Sequence, residues 1–109
     1  FLFLFAPALP EEILFRGVIQ NVLMERIKKP IVALVITALI FGFAHINNKV
    51  RVNDLGLVWE FPNWIYVIFA TIAGFSYGWL YYKTKSLTVA VILHAVVDFT
   101  WWLIFRGGR

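Results

Sequence analysis

Two adjacent carboxylates and an arginine stand out in a sequence that is otherwise strongly apolar. Glu11, Glu12 and Arg16 follow Pro10 and are surrounded by leucine, isoleucine and phenylalanine. Charged groups are costly to remove from water unless they are paired, and at membrane depth such groups usually mark a working site. A solvated helix start also fits these residues, because proline suits the first helical position and the helix dipole favours acids there. At this point both interpretations are open.

The spacing of this first group predicts different environments for its two acids. Glu12 and Arg16 are four residues apart, so on a helix they share a face and can pair. Glu11 is turned by about 100° from Glu12 by the helical period. Glu12 can therefore be a structural partner of Arg16 while Glu11 faces a site as a general base.

Three more side chains capable of chemistry occur far along the chain, namely His45, His94 and Asp98. His94 and Asp98 are four residues apart and share a helix face, where they can bind a metal together or both meet a substrate oxygen. Both would need partners in the absence of water, which favours a site over simple packing. A single histidine such as His45 at a helix end is also typical of interfacial or packing positions.

The composition predicts a membrane protein. The chain has 109 residues, of which 61% are hydrophobic and only 15% are charged, and its mean hydropathy is +0.81; an average soluble domain carries roughly 25% charged residues. The absence of cysteine excludes disulfides and thiolate chemistry. The net charge of +4 lies mostly at the ends of apolar runs, which suits lipid headgroups. No basic stripe is interleaved with polar residues, so nucleic acid is not a predicted partner and membrane lipid is.

Apolar periodicity and helix stop signals predict an all-α, polytopic transmembrane helical bundle with about four helices. The predicted helices are 11–28, 31–45, 63–83 and 86–105, with a polar loop over 46–62 and Ser86 as the N-cap of the last helix. The chain opens in the middle of an apolar run, which we interpret as a fragment of a longer protein. The predicted division is the tail of a preceding helix (1–9), a membrane core (10–105) and a basic C-terminal end (106–109).

The candidate residues are predicted to meet in one half of the membrane. Successive helices alternate in direction. At about 1.5 Å rise per residue, five side chains fall between the middle of the membrane and one face, namely Glu12, Arg16, His45, His94 and Asp98. A proton or ion pathway would instead spread ionisable groups through the full depth. A non-catalytic membrane protein that gives immunity or docks a partner is the other alternative.

Three motifs resemble, in order, those of the CPBP intramembrane proteases, the group of type II CAAX prenyl endopeptidases and bacteriocin-processing or immunity proteins. The motifs are Glu11-Glu12-x-x-x-Arg16, Phe41-x-x-x-His45 and His94-x-x-x-Asp98. Each alone is weak, whereas all three in order on apolar helices are specific. The resemblance extends from Glu11 to about Trp102.

The resemblance implies an intramembrane endopeptidase that cleaves a hydrophobic or lipidated protein or peptide near the membrane surface. It implies that Glu11 acts as general base with His45 on the attacking water. Glu12 and Arg16 would brace that helix, and His94 would stabilise the oxyanion of the tetrahedral intermediate. The implied location is a bacterial or archaeal plasma membrane.

The residue at position 98 departs from the endopeptidase pattern, which more typically has asparagine there. An amide can donate to an oxyanion, whereas an ionised Asp98 would repel it. Asp98 must therefore be protonated, orient the His94 ring or bind a metal. The family has been interpreted both as metal-dependent and as a metal-free glutamate protease. We favour the metal-free version because the chain has no H-E-x-x-H helix motif. Candidate ligands of a divalent ion such as zinc are Glu11, His45, His94 and Asp98.

Overall fold

Four helical rods make up most of the chain in a computed structural model, which describes residues 5–47, 50–52, 57–59 and 62–105. The first rod, α1, is one continuous helix of three segments: α-helical Phe5–Glu12, π-helical Ile13–Gln20 and α-helical Asn21–Ile27. The others are α2 (Pro30–Phe43), α3 (Trp64–Thr84) and α4 (Leu87–Phe105). The predicted helical bundle is confirmed.

Helix α1 starts earlier than the sequence predicted. Pro10 lies inside the helix, so the prediction that the helix begins after Pro10 was wrong. Phe5–Glu12 is one helical segment rather than the end of one helix and the start of another. Proline removes one backbone donor, but membrane helices tolerate it because neighbouring groups satisfy the freed carbonyl. The division of the chain into a leading tail and a core stays a prediction, and residues 106–109 lie outside the described part.

The remaining helix ends follow local sequence signals. The side chain of Asn63 accepts the backbone N–H of Tyr66 at 3.0 Å and so caps α3, while Ser86 accepts the N–H of Val89 at 3.2 Å and confirms the predicted N-cap of α4. Lys85 ends α3 in the left-handed conformation, with φ at 59°. In the predicted loop, Val50–Val52 and Leu57–Trp59 form a short antiparallel hairpin with Val50 opposite Trp59.

The pattern of burial differs from that of a soluble protein. Large apolar side chains are exposed on each helix, as at Leu14, Ile40, Ile68 and Ile104, whereas the residues buried inside include charged and polar ones. Among the described residues, α3 and α4 are long and apolar enough to cross a membrane, and α2 is a shorter apolar helix. This distribution fits hydrocarbon outside and a polar site inside.

Two core contacts place the first carboxylates against the last helix. Ala8 is fully buried against Val91 and Ala95 of α4, which brings α1 close to α4. On the next turns, Phe15 packs with Phe41 of α2 in the main core, their rings meeting edge to face at 5.1 Å between centroids. The glutamates between these contacts therefore lie close to both α2 and α4.

Glycine at position 42 lets α2 and α3 approach closely, which gives a stability prediction. A Cβ at Gly42 would overlap the Thr71 hydroxyl and lie 2.9 Å from the Val67 carbonyl oxygen. We expect Gly42→Ala to destabilise the fold by about 1–3 kcal/mol, because overpacking forces the helices apart. The matched control is Gly17→Ala, since a Cβ there meets nothing within 4 Å; it should be neutral or stabilising by up to about 1 kcal/mol. Denaturant titration in detergent micelles measures both, and equal effects would contradict the packing argument.

Candidate active site

The Glu11 carboxylate lies between the two histidines. Its Oε1 is 3.3 Å from His94 Nε2 and 3.9 Å from His45 Nε2. These three residues come from α1, from the turn after α2 and from α4, so only the packing of separate helices brings them together. The Glu11 side chain is 29% exposed, and it is therefore the more accessible of the two adjacent acids.

Glu12 has a different environment, as its spacing predicted. It is fully buried, and its Oε2 accepts from Arg16 Nη1 at 3.4 Å and from His94 Nδ1 at 2.7 Å. Arg16 is also fully buried; it donates to the backbone carbonyl of Gly74 through Nη2, and its guanidinium lies 5.1 Å from the centroid of the Phe41 ring. The predicted pairing of Glu12 with Arg16 is present.

The tautomer of His45 follows from a backbone contact. Its Nδ1 lies 2.7 Å from the carbonyl oxygen of Phe41. A carbonyl only accepts, so Nδ1 carries the proton and, in the neutral ring, Nε2 presents a lone pair towards Glu11. The Tyr66 ring stacks on the imidazole at 5.8 Å between centroids and 18° between planes. The structure ends α2 at Phe43, rather than at His45 as predicted, and this turn is what presents His45 to the site.

His94 has carboxylates around both ring nitrogens. Nδ1 bonds to Glu12, while Nε2 lies 3.3 Å from Glu11 and 3.5 Å from Asp98 Oδ2. Tyr77 stacks on the ring at 4.5 Å between centroids and 17° between planes. This arrangement suits an imidazolium, because both N–H groups would then donate to carboxylate oxygens.

A cavity of about 360 Å³ opens between α3 and α4 beside the histidines. Of the candidate residues, His45, His94 and Asp98 line it; Glu11 does not, but it contacts both histidines that do. The rest of the lining is mostly apolar or aromatic, and includes Tyr66 and Trp101. A substrate in this cavity would meet a few polar groups in a hydrophobic enclosure.

The candidate metal ligands lie within ion-pairing distance of one another. Among the described residues, no group of three or more His, Asp and Glu side chains is placed to hold a metal ion. The Nε2 atom of His94 is instead shared by two carboxylate oxygens at hydrogen-bonding or ion-pair distance. The metal-free interpretation favoured by the sequence stays a prediction.

The comparison with protein families decides the class of this chain. The model of the family described as type II CAAX prenyl endopeptidase Rce1-like matches residues 1–100. The chain belongs to this family. Neither curated proteins nor solved structures gave a match.

Membership confirms the resemblance inferred from the three motifs, which all lie within the matched residues. This Rce1-like chain is therefore a membrane-embedded member of a family of CAAX-type proteases. The roles of individual residues, the bacterial or archaeal membrane and the alternative of bacteriocin immunity stay predictions.

Sequence reasoning missed several contacts of this Rce1-like site. The rings of Tyr66 and Tyr77, which stack on the two histidines, had no distinguishing signal in the sequence. Gly74 and Gly78 were not among the candidate residues, yet their carbonyls accept hydrogen bonds from Arg16 and Gln20. The available signal was the four-residue spacing, which Arg16 and Gln20 share with Gly74 and Gly78.

Proposed function

We propose that the chain is an intramembrane endopeptidase in which Glu11, acting with His45, activates water to hydrolyse a peptide bond at the cavity between α3 and α4. The observation that carries this proposal is the position of Glu11 Oε1 within 3.9 Å of His45 Nε2 and 3.3 Å of His94 Nε2. A carboxylate and two imidazoles from three separate elements suit proton transfer and charge stabilisation around one reacting carbonyl.

The gap between Glu11 and His45 suits a water molecule. At 3.9 Å it is too long for a direct hydrogen bond, but one water can lie about 2.8 Å from both atoms. With a carboxylate oxygen and an Nε2 lone pair as acceptors, the water donates both of its hydrogens. Its own lone pairs then remain for attack on a carbonyl carbon, and Glu11 takes the proton as general base.

His94 supplies the positive charge that the tetrahedral intermediate needs. Its imidazolium is held by Glu12 at Nδ1, and its Nε2–H is directed to the region that Glu11 and Asp98 share. A developing oxyanion in the cavity can replace one of these acceptors. Of the three roles open to Asp98, its 3.5 Å distance from His94 supports orientation of the ring.

The cavity supports a hydrophobic or lipidated protein or peptide substrate. Its lining is largely apolar, and it adjoins a groove on α3 and α4, lined by Phe75, Trp79 and Leu80, that shares Ser76 and Leu93 with it. An extended apolar chain attached near the scissile bond would have hydrocarbon-like surroundings along this path. We therefore propose a CAAX-type substrate, with the lipid in the groove and the peptide at the histidines.

The activity can be tested with the purified chain in proteoliposomes. The probes are a C-terminal CAAX peptide with an isoprenoid thioether and the same peptide without it, with mass spectrometry identifying the released tripeptide. We expect cleavage of the lipidated peptide, with a kcat/KM at least 10-fold above that of the unmodified one. If the folded, reconstituted chain cleaves neither peptide, the proposal is contradicted.

His45 provides a test of the water-activating pair. We expect His45→Gln to lower kcat about 10²-fold or more, because the amide oxygen can accept a hydrogen bond from the water but is a far weaker base than the imidazole Nε2. Asn47→Ala is the control, since Asn47 is an exposed polar residue two positions further along the chain. Single-turnover cleavage of the lipidated peptide measures both. A His45→Gln rate within 3-fold of the Asn47→Ala rate would exclude the proposed role.

A further inference from the structure

Two buried side chains of α1 donate hydrogen bonds to backbone carbonyls of α3 that lie one helical turn apart. Arg16 donates to the carbonyl of Gly74, and Gln20 Nε2 donates to the carbonyl of Gly78 at 3.1 Å. Both side chains have no exposed surface. The two donors are four residues apart on α1, and the two acceptors are four residues apart on α3. The two bonds therefore lie side by side and fix the register of α1 against α3. We call these two bonds the Arg16–Gln20 clamp.

The clamp coincides with an unusual backbone. Residues Ile13–Gln20 are π-helical, a conformation that is rare and is frequently found at functional sites. Arg16 lies in the middle of the π-helical segment and Gln20 is its last residue. Tertiary bonds at these two positions are therefore placed to maintain the π-helical hydrogen-bonding pattern against relaxation to an α-helix.

Relaxation of this segment would move Glu11 and Glu12. Glu11 and Glu12 directly precede the π-helical segment, so a change of one residue in its register turns them by about 100° relative to the clamped end. Glu12 Oε2 is only 2.7 Å from His94 and Glu11 Oε1 is 3.3 Å from it. Such a rotation would break both contacts.

The surroundings of Gln20 suit a role in positioning α1 better than a role in stability alone. Its Oε1 has no hydrogen-bond donor among the described residues although it is buried, and a buried acceptor without a donor is unfavourable. A Cβ at Gly78 would lie 2.6 Å from that same oxygen and 2.8 Å from Leu34 Cδ2. The glutamine thus occupies a tight slot in which one donor reaches one carbonyl.

From these contacts we propose that Gln20 is a positioning residue, which maintains the π-helical segment of α1 and thereby holds Glu11 and Glu12 against His94. Its kinetic consequence depends on the proposed protease function, whereas its structural consequence does not. The residue itself is remote from the reacting atoms and acts only through the helix that carries the glutamates.

The kinetic test compares Gln20→Met with Asn21→Leu. Methionine keeps the length of the side chain but cannot donate. Asn21 is the control because it also bonds across to α3, at Tyr81 Oη with 3.0 Å, and to the Gly17 carbonyl at 3.1 Å, but it is exposed and follows the last π-helical residue. We expect Gln20→Met to lower kcat 10- to 100-fold with KM changed less than 3-fold, since small misplacement of a catalytic group is that costly. Asn21→Leu should leave kcat within 2-fold of wild type.

A distance measurement tests the same proposal without activity. Because the chain has no cysteine, spin labels can be attached at Leu9→Cys and Ile68→Cys, two exposed positions on α1 and α3. In electron double resonance, Gln20→Met should shift or split the distance distribution by a few ångströms, whereas Asn21→Leu should reproduce the wild-type distribution. Gln20→Asn, which keeps the amide but is one methylene too short to reach Gly78, should behave as Gln20→Met does and serves if the methionine variant does not fold.

The outcomes separate the two proposals. A moved distance in the Gln20 variants supports the positioning role even if the wild-type chain cleaves no peptide, in which case the protease proposal alone fails. An unmoved distance with a wild-type kcat overturns the positioning role and leaves the protease proposal standing. An equal loss of kcat in Gln20→Met and Asn21→Leu also overturns it, because any bond between α1 and α3 would then serve.

Discussion

Glu11→Gln is expected to lower kcat for cleavage of the lipidated peptide by about 10²–10⁴-fold, the range that a positioned general base contributes. The substitution keeps the size of the side chain and removes only its ability to take a proton from water. Because Glu11 is partly exposed and the buried ion pair belongs to Glu12, the fold should be retained. Single-turnover cleavage in proteoliposomes measures the rate, and thermal unfolding in micelles checks the fold.

The control for this variant is Glu25→Gln. Glu25 lies on the same helix but is exposed at the other end of it, so the loss of its charge should leave kcat within 2-fold. If Glu11→Gln also stays within 2-fold of wild type, Glu11 is not the base. Binding of the peptide without cleavage by both variants and by wild type would favour the non-catalytic alternative.

Arg16→Met is expected to have the largest effect on stability, a loss of about 3–5 kcal/mol in the free energy of unfolding. The guanidinium is fully buried between the Glu12 carboxylate and the Gly74 carbonyl, and it also lies 5.5 Å from the centroid of the Tyr77 ring. Methionine fills much of the same volume but leaves Glu12 as a buried acid without its guanidinium. Denaturant titration in detergent micelles gives the difference.

Arg26→Met is the matched control, because Arg26 is an exposed arginine on the last turn of the same helix. Its loss should cost less than about 1 kcal/mol. The double variant Glu12→Gln, Arg16→Met should recover part of the loss, since it removes both charges of the pair. Equal stabilities of the Arg16 and Arg26 variants would show that the buried pair is not a structural element of α1.

The two adjacent acids illustrate how neighbouring residues acquire different roles. Glu12 lies beside Arg16 and His94 and has no exposed surface, so it is suited to support. Glu11 is turned to the other side, towards both histidines and partial exposure, so it is suited to react. The helical period separates them, and for this reason their different environments were predictable from the sequence.

Other features were predictable because they depend on short-range rules. The apolar composition predicted membrane helices, Ser86 was recognisable as an N-cap and the four-residue spacings predicted the Glu12–Arg16 and His94–Asp98 pairs. Helix α1 was mispredicted at its start, because proline usually opens helices in water but is tolerated within them in a membrane.

What the sequence by itself determined is the kind of protein and the residues available for chemistry: a helical membrane bundle carrying three ordered polar motifs. Only the tertiary structure decided which atoms meet. Glu11 approaches His94, and the carbonyls of Gly74 and Gly78 accept hydrogen bonds from α1, so each of these contacts joins positions more than 50 residues apart. The π-helical segment depends on such contacts. The physical reason is that local spacing fixes the face of a helix on which a side chain lies, whereas the register between helices is set by close packing and by buried polar bonds.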